Sequence, residues 1–420
     1  MPSADGTNVI SPPARNLRRW SGAGSSRIPN WVYTDPEIFA REQERIFEGP
    51  GWLYVCLEAE IPKSGDFQRC RLGTKEVVAV RDADGAVNVL VNRCAHRSAQ
   101  FCSVNRGMAK EFVCPYHQWT YDLCGNLLGV PFRRGYHGQG GMPADFHPEE
   151  HGLQRLSTTC RHGLVFASFS AGTEPFETYL GDTMLGYFDR VFAGRELVVL
   201  GYLRQRIPSN WKLMFENIKD PYHASLLHVF LVTFGLFRLD QKSAIEMDPT
   251  GRHAVLVSSR GEQHENEATR QMRAFKPSFA LRDPRLLEPV REFPGEATVV
   301  MQTLWPNLIV QQQSNTLAVR QIVPIDAGHF DLAWTFFGYA DDTPQMRQRR
   351  LRQANLMGPA GLVSLDDSEA MLLSQAGIGG SADAECVAEM GGRAVHDEPH
   401  MLTETAIRGF YQHYRRVMEL

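Results

Sequence analysis

Cys94-Ala95-His96, followed after residues 97–113 by Cys114-Pro115-Tyr116-His117, is the part of this chain that decides its reading. Each cluster pairs one thiolate with one imidazole on a short loop. In a Rieske [2Fe–2S] centre two cysteines hold one iron and two histidines the other. Each loop would then supply one ligand to each iron. A structural Cys₂His₂ zinc site uses the same four side chains, but usually pairs Cys-x₂₋₄-Cys with His-x₃₋₅-His. The mixed loops favour the iron–sulfur reading. Arg97 and Trp119 lie close to ligands, where hydrogen bonding and burial tune the potential of such a cluster. Trp119 fits a plain packing role equally well.

Around these loops the texture is short apolar runs broken by Gly, Asp and Asn. Glu76–Arg81 and Val87–Val91 read as strands joined by the polar turn Asp82-Ala83-Asp84-Gly85. Asp122-Leu123-Cys124-Gly125-Asn126 supplies a similar turn after the second cluster. Residues 50–170 are therefore expected to form an all-β module with the metal at its loop tips. Before it, Asp35–Phe47 opens on an Asp-Pro cap and carries Ile38, Phe39, Ile46 and Phe47 at helical spacing. Residues 1–49 are read as an N-terminal segment and a helix packing on the second domain, residues 171–420. That domain mixes helices with an antiparallel meander. Thr298–Trp305, Leu308–Gln313, Thr316–Val323 and Phe330–Tyr339 read as strands, with turns at Ser314-Asn315 and Asp326-Ala327-Gly328. Asp341–Leu356 reads as helix, and so does Pro399–Leu420, where Ile407, Phe410, Tyr411, Tyr414 and Val417 form an apolar stripe.

A second constellation, Asp220-x₂-His223-x₄-His228, lies in this domain. Two histidines and a carboxylate make the facial triad of non-haem Fe(II) oxygenases. Five residues along an ideal helix rotate by about 140° beyond a full turn, so His223 and His228 would diverge. Convergence on one metal requires the helix to end, break or bulge between them. The missing carboxylate should be distant in sequence, and Asp366-Asp367-Ser368-Glu369 offers candidates. Asp366 also fits as a helix cap. Asp220, three residues before His223, is placed to orient that imidazole.

The stretches Asn92–Arg97 and Cys114–Asp122 closely resemble the cluster loops of ring-hydroxylating Rieske oxygenases. The likeness runs from Trp31-Val32-Tyr33-Thr34-Asp35 to the C-terminal helix and is to their large (α) subunits. It implies an α+β fold: an all-β Rieske domain plus a helix-grip (START/Bet v1-like) catalytic domain with an antiparallel sheet. It also implies a cluster on Cys94, His96, Cys114 and His117, and Fe(II) on His223, His228 and, by position in the Asp-Asp motif, Asp367. Asp220 would bridge a mononuclear-iron histidine to a Rieske histidine of the neighbouring subunit, carrying electrons across a ring-shaped oligomer. The implied partners are O₂, a ferredoxin, an NAD(P)H-dependent reductase and a small β subunit in an α₃β₃ assembly. Within the family the chain looks most similar to salicylate 5-hydroxylases, with terephthalate and anthranilate dioxygenases next. Gly129–Gly135 and Gly140–Phe146 carry much of that likeness. It implies hydroxylation of an aromatic carboxylate: salicylate at carbon 5, or alternatively cis-dihydroxylation of terephthalate, anthranilate or another benzoate.

Arg320 gives an independent hint. In Thr316–Val323, Ala318, Arg320 and Ile322 share a face by period two. If that face lines the pocket, Arg320 needs a carboxylate partner, which an aromatic acid would supply. If it faces outward, or finds a protein carboxylate, the hint disappears. Arg347, Arg349, Arg350 and Arg352 form a basic run that reads either as a solvated helix face or as a dock for an acidic ferredoxin.

With 420 residues and a net charge of −4, the chain has room for several domains and no bias toward nucleic acid. Its eight cysteines do not space like a secreted disulfide framework. Met1–Asn30 lacks the apolar core of a signal peptide, and no stretch of 18 apolar residues occurs. A cytoplasmic protein without membrane contact is expected. Two other classes remain as rivals: a Rieske electron carrier, which would not need the second domain, and a zinc-stapled binding protein, which would hold no sulfide.

Overall fold

A computed structural model describes residues 20, 22, 24–239, 241–260, 270, 271, 273 and 275–420. Most of the Met1–Asn30 stretch thus lies outside the described residues. Among them, no helix is long and apolar enough to cross a membrane.

The first half of the chain is a set of short antiparallel sheets. Val87–Val91, Lys75–Arg81, Asp66–Leu72 and Arg106–Met108 form one sheet in that order. The turn between the first two is built as its residues suggest. Asp82 Oδ1 accepts from the backbone N–H of Asp84 and Ala86, and Gly85 takes φ 84°, which glycine adopts without a Cβ clash. A smaller sheet, Phe112–Val113, Thr120–Tyr121 and Leu127–Gly129, presents the second Cys/His loop between its first two strands.

The second half is built on a seven-stranded antiparallel sheet. Its order is Leu197–Ile207, His329–Tyr339, Thr316–Asp326, Leu308–Gln313, Val299–Leu304, Ala254–Ser259 and Lys242–Met247. The four expected meander strands are all present, within a residue or two except that Thr316–Asp326 runs on past Val323. The Phe176–Phe192 helix lies on one face, where Gln302 Nε2 donates to the Met184 carbonyl (2.8 Å). By alternation Met301 and Gln311 point to the other face, toward the Trp211–Lys219 helix.

That helix is fixed by a buried polar cluster. Glu42 accepts from Lys212 Nζ (2.6 Å), Trp211 Nε1 (2.7 Å) and the Tyr414 hydroxyl (2.6 Å). Both charges are fully buried, so removing one partner alone would cost about 3–5 kcal/mol. The cluster ties the N-terminal helix and the C-terminal helix to the segment that leads into Asp220.

Three expectations need correction. The Asp35–Phe47 helix is α-helical only over Pro36–Glu42, and Gln43–Phe47 forms a π-turn. The C-terminal helix starts at Thr405 rather than Pro399, because Glu404 and Thr405 are engaged by the preceding loop: Glu404 accepts from Met390 N and Thr405 Oγ1 donates to the His396 carbonyl. The arginine run does not form one face. Arg350 is 1 % exposed and paired with Asp342 (2.7 Å) and Glu292, whereas Arg347 is exposed. Sequence-distant carboxylates claim it, which a local charge pattern does not reveal.

Candidate metal centres

The two Cys/His loops have matching backbones. Ser98 donates its N–H to the Cys94 carbonyl and Gln118 to the Cys114 carbonyl, and both take positive φ (59° and 56°). Cys94 N–H bonds to the Ala99 carbonyl and Cys114 N–H to the Trp119 carbonyl, closing each loop. The result turns both thiols inward, at 2 % exposure each, while His96 is exposed and His117 half-buried. The two imidazoles sit 4.6 Å apart between ring centroids. Trp119 stacks on His96 at 4.7 Å with planes 3° apart, and the Tyr121 hydroxyl lies 3.1 Å from Cys94 Sγ. Trp119 therefore packs and also orients a candidate ligand; Tyr121 is a sulfur neighbour that the sequence reading did not single out. The four donors do not meet at one point, as a zinc site would require. Among the described residues, the one group of three or more such side chains that does converge is His223, His228 and Asp367.

That group is assembled by a broken helix. Asp220 caps the Pro221–Leu227 helix, accepting from the N–H of Tyr222 (2.8 Å) and His223 (3.2 Å). The helix ends at Leu227 and a new one starts at Val229, with His228 between them at φ −85°, ψ 88°. This break swings His228 toward His223, as the five-residue spacing demands. Asp367 comes from the Leu362–Gly379 helix, and its Oδ1 lies 3.4 Å from His223 Nε2 and 3.2 Å from His228 Nε2. All three donor atoms fall within 4.8 Å of one another. An ion about 2.1 Å from three perpendicular donors holds them about 3 Å apart, so the set fits a facial triad.

A carboxylate stands near each of the remaining nitrogens, although the approach to His223 Nδ1 does not have hydrogen-bond geometry. His223 Nδ1 lies 3.3 Å from Asp220 Oδ2, and His228 Nδ1 lies 3.3 Å from Asp366 Oδ2. Asp366 thus stands behind His228 rather than in the converging set. Asn217 Nδ2 donates to Asp367 Oδ1 (3.1 Å), a contact that spans 150 positions and carries no local sequence signal. Burial alone would lower the His223 pKa, but Asp220 and Asp367 outweigh it and push it up to about 10. Burial would likewise raise the Asp367 carboxyl, yet the two imidazoles hold it far below the usual carboxylate range. Asp220, Asp366 and Asp367 around the two imidazoles make the site an anionic cradle suited to a divalent cation.

Arg320 lines the cavity shared by His223, His228 and Asp367. It is 3 % exposed, and its Nε has no hydrogen-bond partner. The guanidinium lies over the Trp334 ring at 4.3 Å, and Nη2 contacts the Met301 sulfur (3.7 Å). Burial pushes its pKa down to about 9, opposed by Asp367, so it stays cationic at neutral pH. Arg320 does not face outward, and among the described residues it pairs with no protein carboxylate.

Comparison with known proteins decides the family. Residues 51–138 match the Rieske [2Fe-2S] domain, and residues 194–420 match the ring hydroxylating alpha subunit (catalytic domain). The chain belongs to the ring-hydroxylating oxygenase α-subunit family. The salicylate 5-hydroxylase large oxygenase component of Ralstonia sp. is 52% identical over 95% of this chain and 96% of its own length. The anthranilate 1,2-dioxygenase large subunit of Burkholderia cepacia is 46% identical over 94% and 93%. The terephthalate 1,2-dioxygenase α subunit 2 of Comamonas sp. is 42% identical over 96% and 98%. In fold, this α subunit superposes on naphthalene 1,2-dioxygenase from Rhodococcus sp. with a TM-score of 0.78 at 23% identity, covering 93% and 94% of the two chains. It is a Rieske-type aromatic-ring-hydroxylating enzyme whose catalytic domain holds a His-His-Asp candidate site for mononuclear iron. A simple electron carrier and a zinc-stapled binding protein are thereby set aside.

Proposed function

We propose that this α subunit hydroxylates an aromatic carboxylate, with salicylate 5-hydroxylation as the first reading. The observation that carries it is Arg320: a buried guanidinium with no carboxylate partner among the described residues, lining the same cavity as the candidate iron ligands. Leaving such a charge unpaired is costly, and a carboxylate ligand satisfies it bidentately. Met301, Leu256 and Val299 give the same cavity an apolar wall for a ring. The 52% relative acts on salicylate by its name, and the anthranilate and terephthalate relatives also act on aromatic acids.

In this reading Cys94, His96, Cys114 and His117 hold the cluster, and His223, His228 and Asp367 hold Fe(II), which when bound supplies the centre for O₂ reduction. Asp220 and Asp366 orient the two imidazoles so that each Nε2 faces the metal position. Asp220 also serves as the link to a Rieske histidine of a neighbouring α subunit, in a ring-shaped assembly with a small β subunit. NAD(P)H, a reductase and a ferredoxin supply the electrons. Arg320 fixes the carboxylate end of the substrate and so sets which ring carbon is presented.

The test is product analysis by mass spectrometry with salicylate, anthranilate, benzoate and terephthalate. Hydroxylation of salicylate at carbon 5 supports the first reading. A diol from anthranilate or terephthalate would move the assignment to dioxygenation within the same substrate class. Arg320→Ala should raise KM for the preferred acid by about 100-fold or more, from the loss of a charge-assisted pair. An unchanged KM would remove the carboxylate argument.

A further inference from the structure

Beyond the metal cavity lies a second one of about 580 Å³, the size of an ordinary small-ligand site. The two adjoin: Phe237 and Arg238, and Gln313 and Ser314, are chain neighbours divided between them. The sheet continues from one to the other. Leu256, Met301 and Gln311 stand abreast across three strands, and Ser258, Val299 and Gln313 form the next rung outward. Alternation carries Arg260, two residues past Ser258, onto this same face, where its N–H is still held by Thr298 Oγ1 (3.0 Å). Gln241 joins the rung to the cavity wall, accepting from Ser258 Oγ (3.4 Å) and from the Arg238 N–H (3.2 Å).

Among the described residues, Arg238 and Arg260 of this outer cavity have no ion pair, and the exposed Arg291 adds a third cation to the lining. Arg238 is 5 % exposed, and its Nε donates to the Val232 carbonyl (3.0 Å). Arg260 donates through Nη1 to the Leu287 carbonyl (2.8 Å). Among the described residues, neither has a carboxylate within ion-pair distance. Burial and the nearby charge of Arg238 both lower the Arg260 pKa. The acidic residues of the lining are already engaged: Glu292 with Arg195 and Arg350, Glu296 with Lys242 (3.4 Å). Pro289, Val290 and Phe293 give the cavity an apolar side.

We propose that Arg238 and Arg260 form an outer anion station, where an aromatic carboxylate is captured before it moves along the sheet face to Arg320. The proposal rests on the aromatic-acid reading above and adds a second binding place for the same ligand. An outer cationic station raises the capture rate of an anion, and salt screens that effect.

The experiment is calorimetric titration of the metal-loaded enzyme with salicylate, beside kcat/KM measured as a function of ionic strength. Because Arg238 is buried, Arg260→Gln and the charge-keeping Arg238→Lys are run beside Arg238→Gln. The wild type should show a weaker binding event besides the tight one, and Arg260→Gln should lose the weaker one. Its kcat/KM at low salt should fall about tenfold and its salt dependence should flatten. Arg320→Ala should instead lose the tight event, which separates failure of the outer station from failure of the substrate reading. A titration and salt profile unchanged in Arg260→Gln and Arg238→Gln would overturn the proposal.

Discussion

At the Rieske loops the thiols of Cys94 and Cys114 are buried and the imidazoles of His96 and His117 reach outward, with His96 exposed. In the catalytic domain the imidazoles are turned inward, and a carboxylate stands behind each Nδ1. The same side chain is therefore used in two ways. On the Rieske domain it is an edge open to solvent. In the catalytic domain it is a clamped donor beside an apolar cavity, which suits chemistry that must exclude water. The contrast shows where each region should be fragile. The outer one depends on what surrounds sulfur, and the inner one on the carboxylates behind the histidines.

The largest expected effect is at Asp220. Asparagine keeps the helix cap, so Asp220→Asn should fold and retain both metals, while product formation falls by about 100-fold or more. Visible spectra and iron content measured beside turnover check this; normal turnover would remove Asp220 from the electron route. Asp366→Asn should act less strongly, because its side chain is 36 % exposed and solvent can replace part of its contact with His228. Iron affinity at the catalytic site should weaken by about tenfold, read as iron retained after gel filtration, with the Rieske spectrum unaltered. An unaltered affinity would mean that the 3.3 Å approach does not hold the imidazole. The smallest effect belongs to the outer region. Tyr121→Phe removes the hydroxyl beside Cys94 Sγ and should lower the cluster potential without loss of iron or sulfide. A redox titration with an unchanged potential would show that this contact does not tune the cluster.

What the sequence disclosed follows the same division. The Cys/His loops are local, so ligand type and spacing were enough to read them. The break at His228 was also legible, because five residues of ideal helix cannot bring two imidazoles to one ion. The residues alone narrowed Asp367 only to a cluster of acids, and it was the family resemblance that named it, since its approach to His223 depends on how the Leu362–Gly379 helix packs. Asn217 and the backing role of Asp366 were not legible at all: their partners lie 150 and 138 positions away. Arg350 misled for the same reason. It sits in a run of arginines, yet Glu292 and Asp342 draw it into the interior, so the run is not a single docking face. Arg320 was half legible, because period two fixes which residues share its face but not which face lines the cavity.

The most direct test of the account is iron and acid-labile sulfide content, measured in the wild type and in Asp367→Ala. The account predicts that the variant loses about one-third of its iron, keeps its sulfide and Rieske spectrum, and forms no product. Iron content unchanged from the wild type, or loss of sulfide together with iron, would contradict the assignment of two separate centres with Asp367 at the inner one.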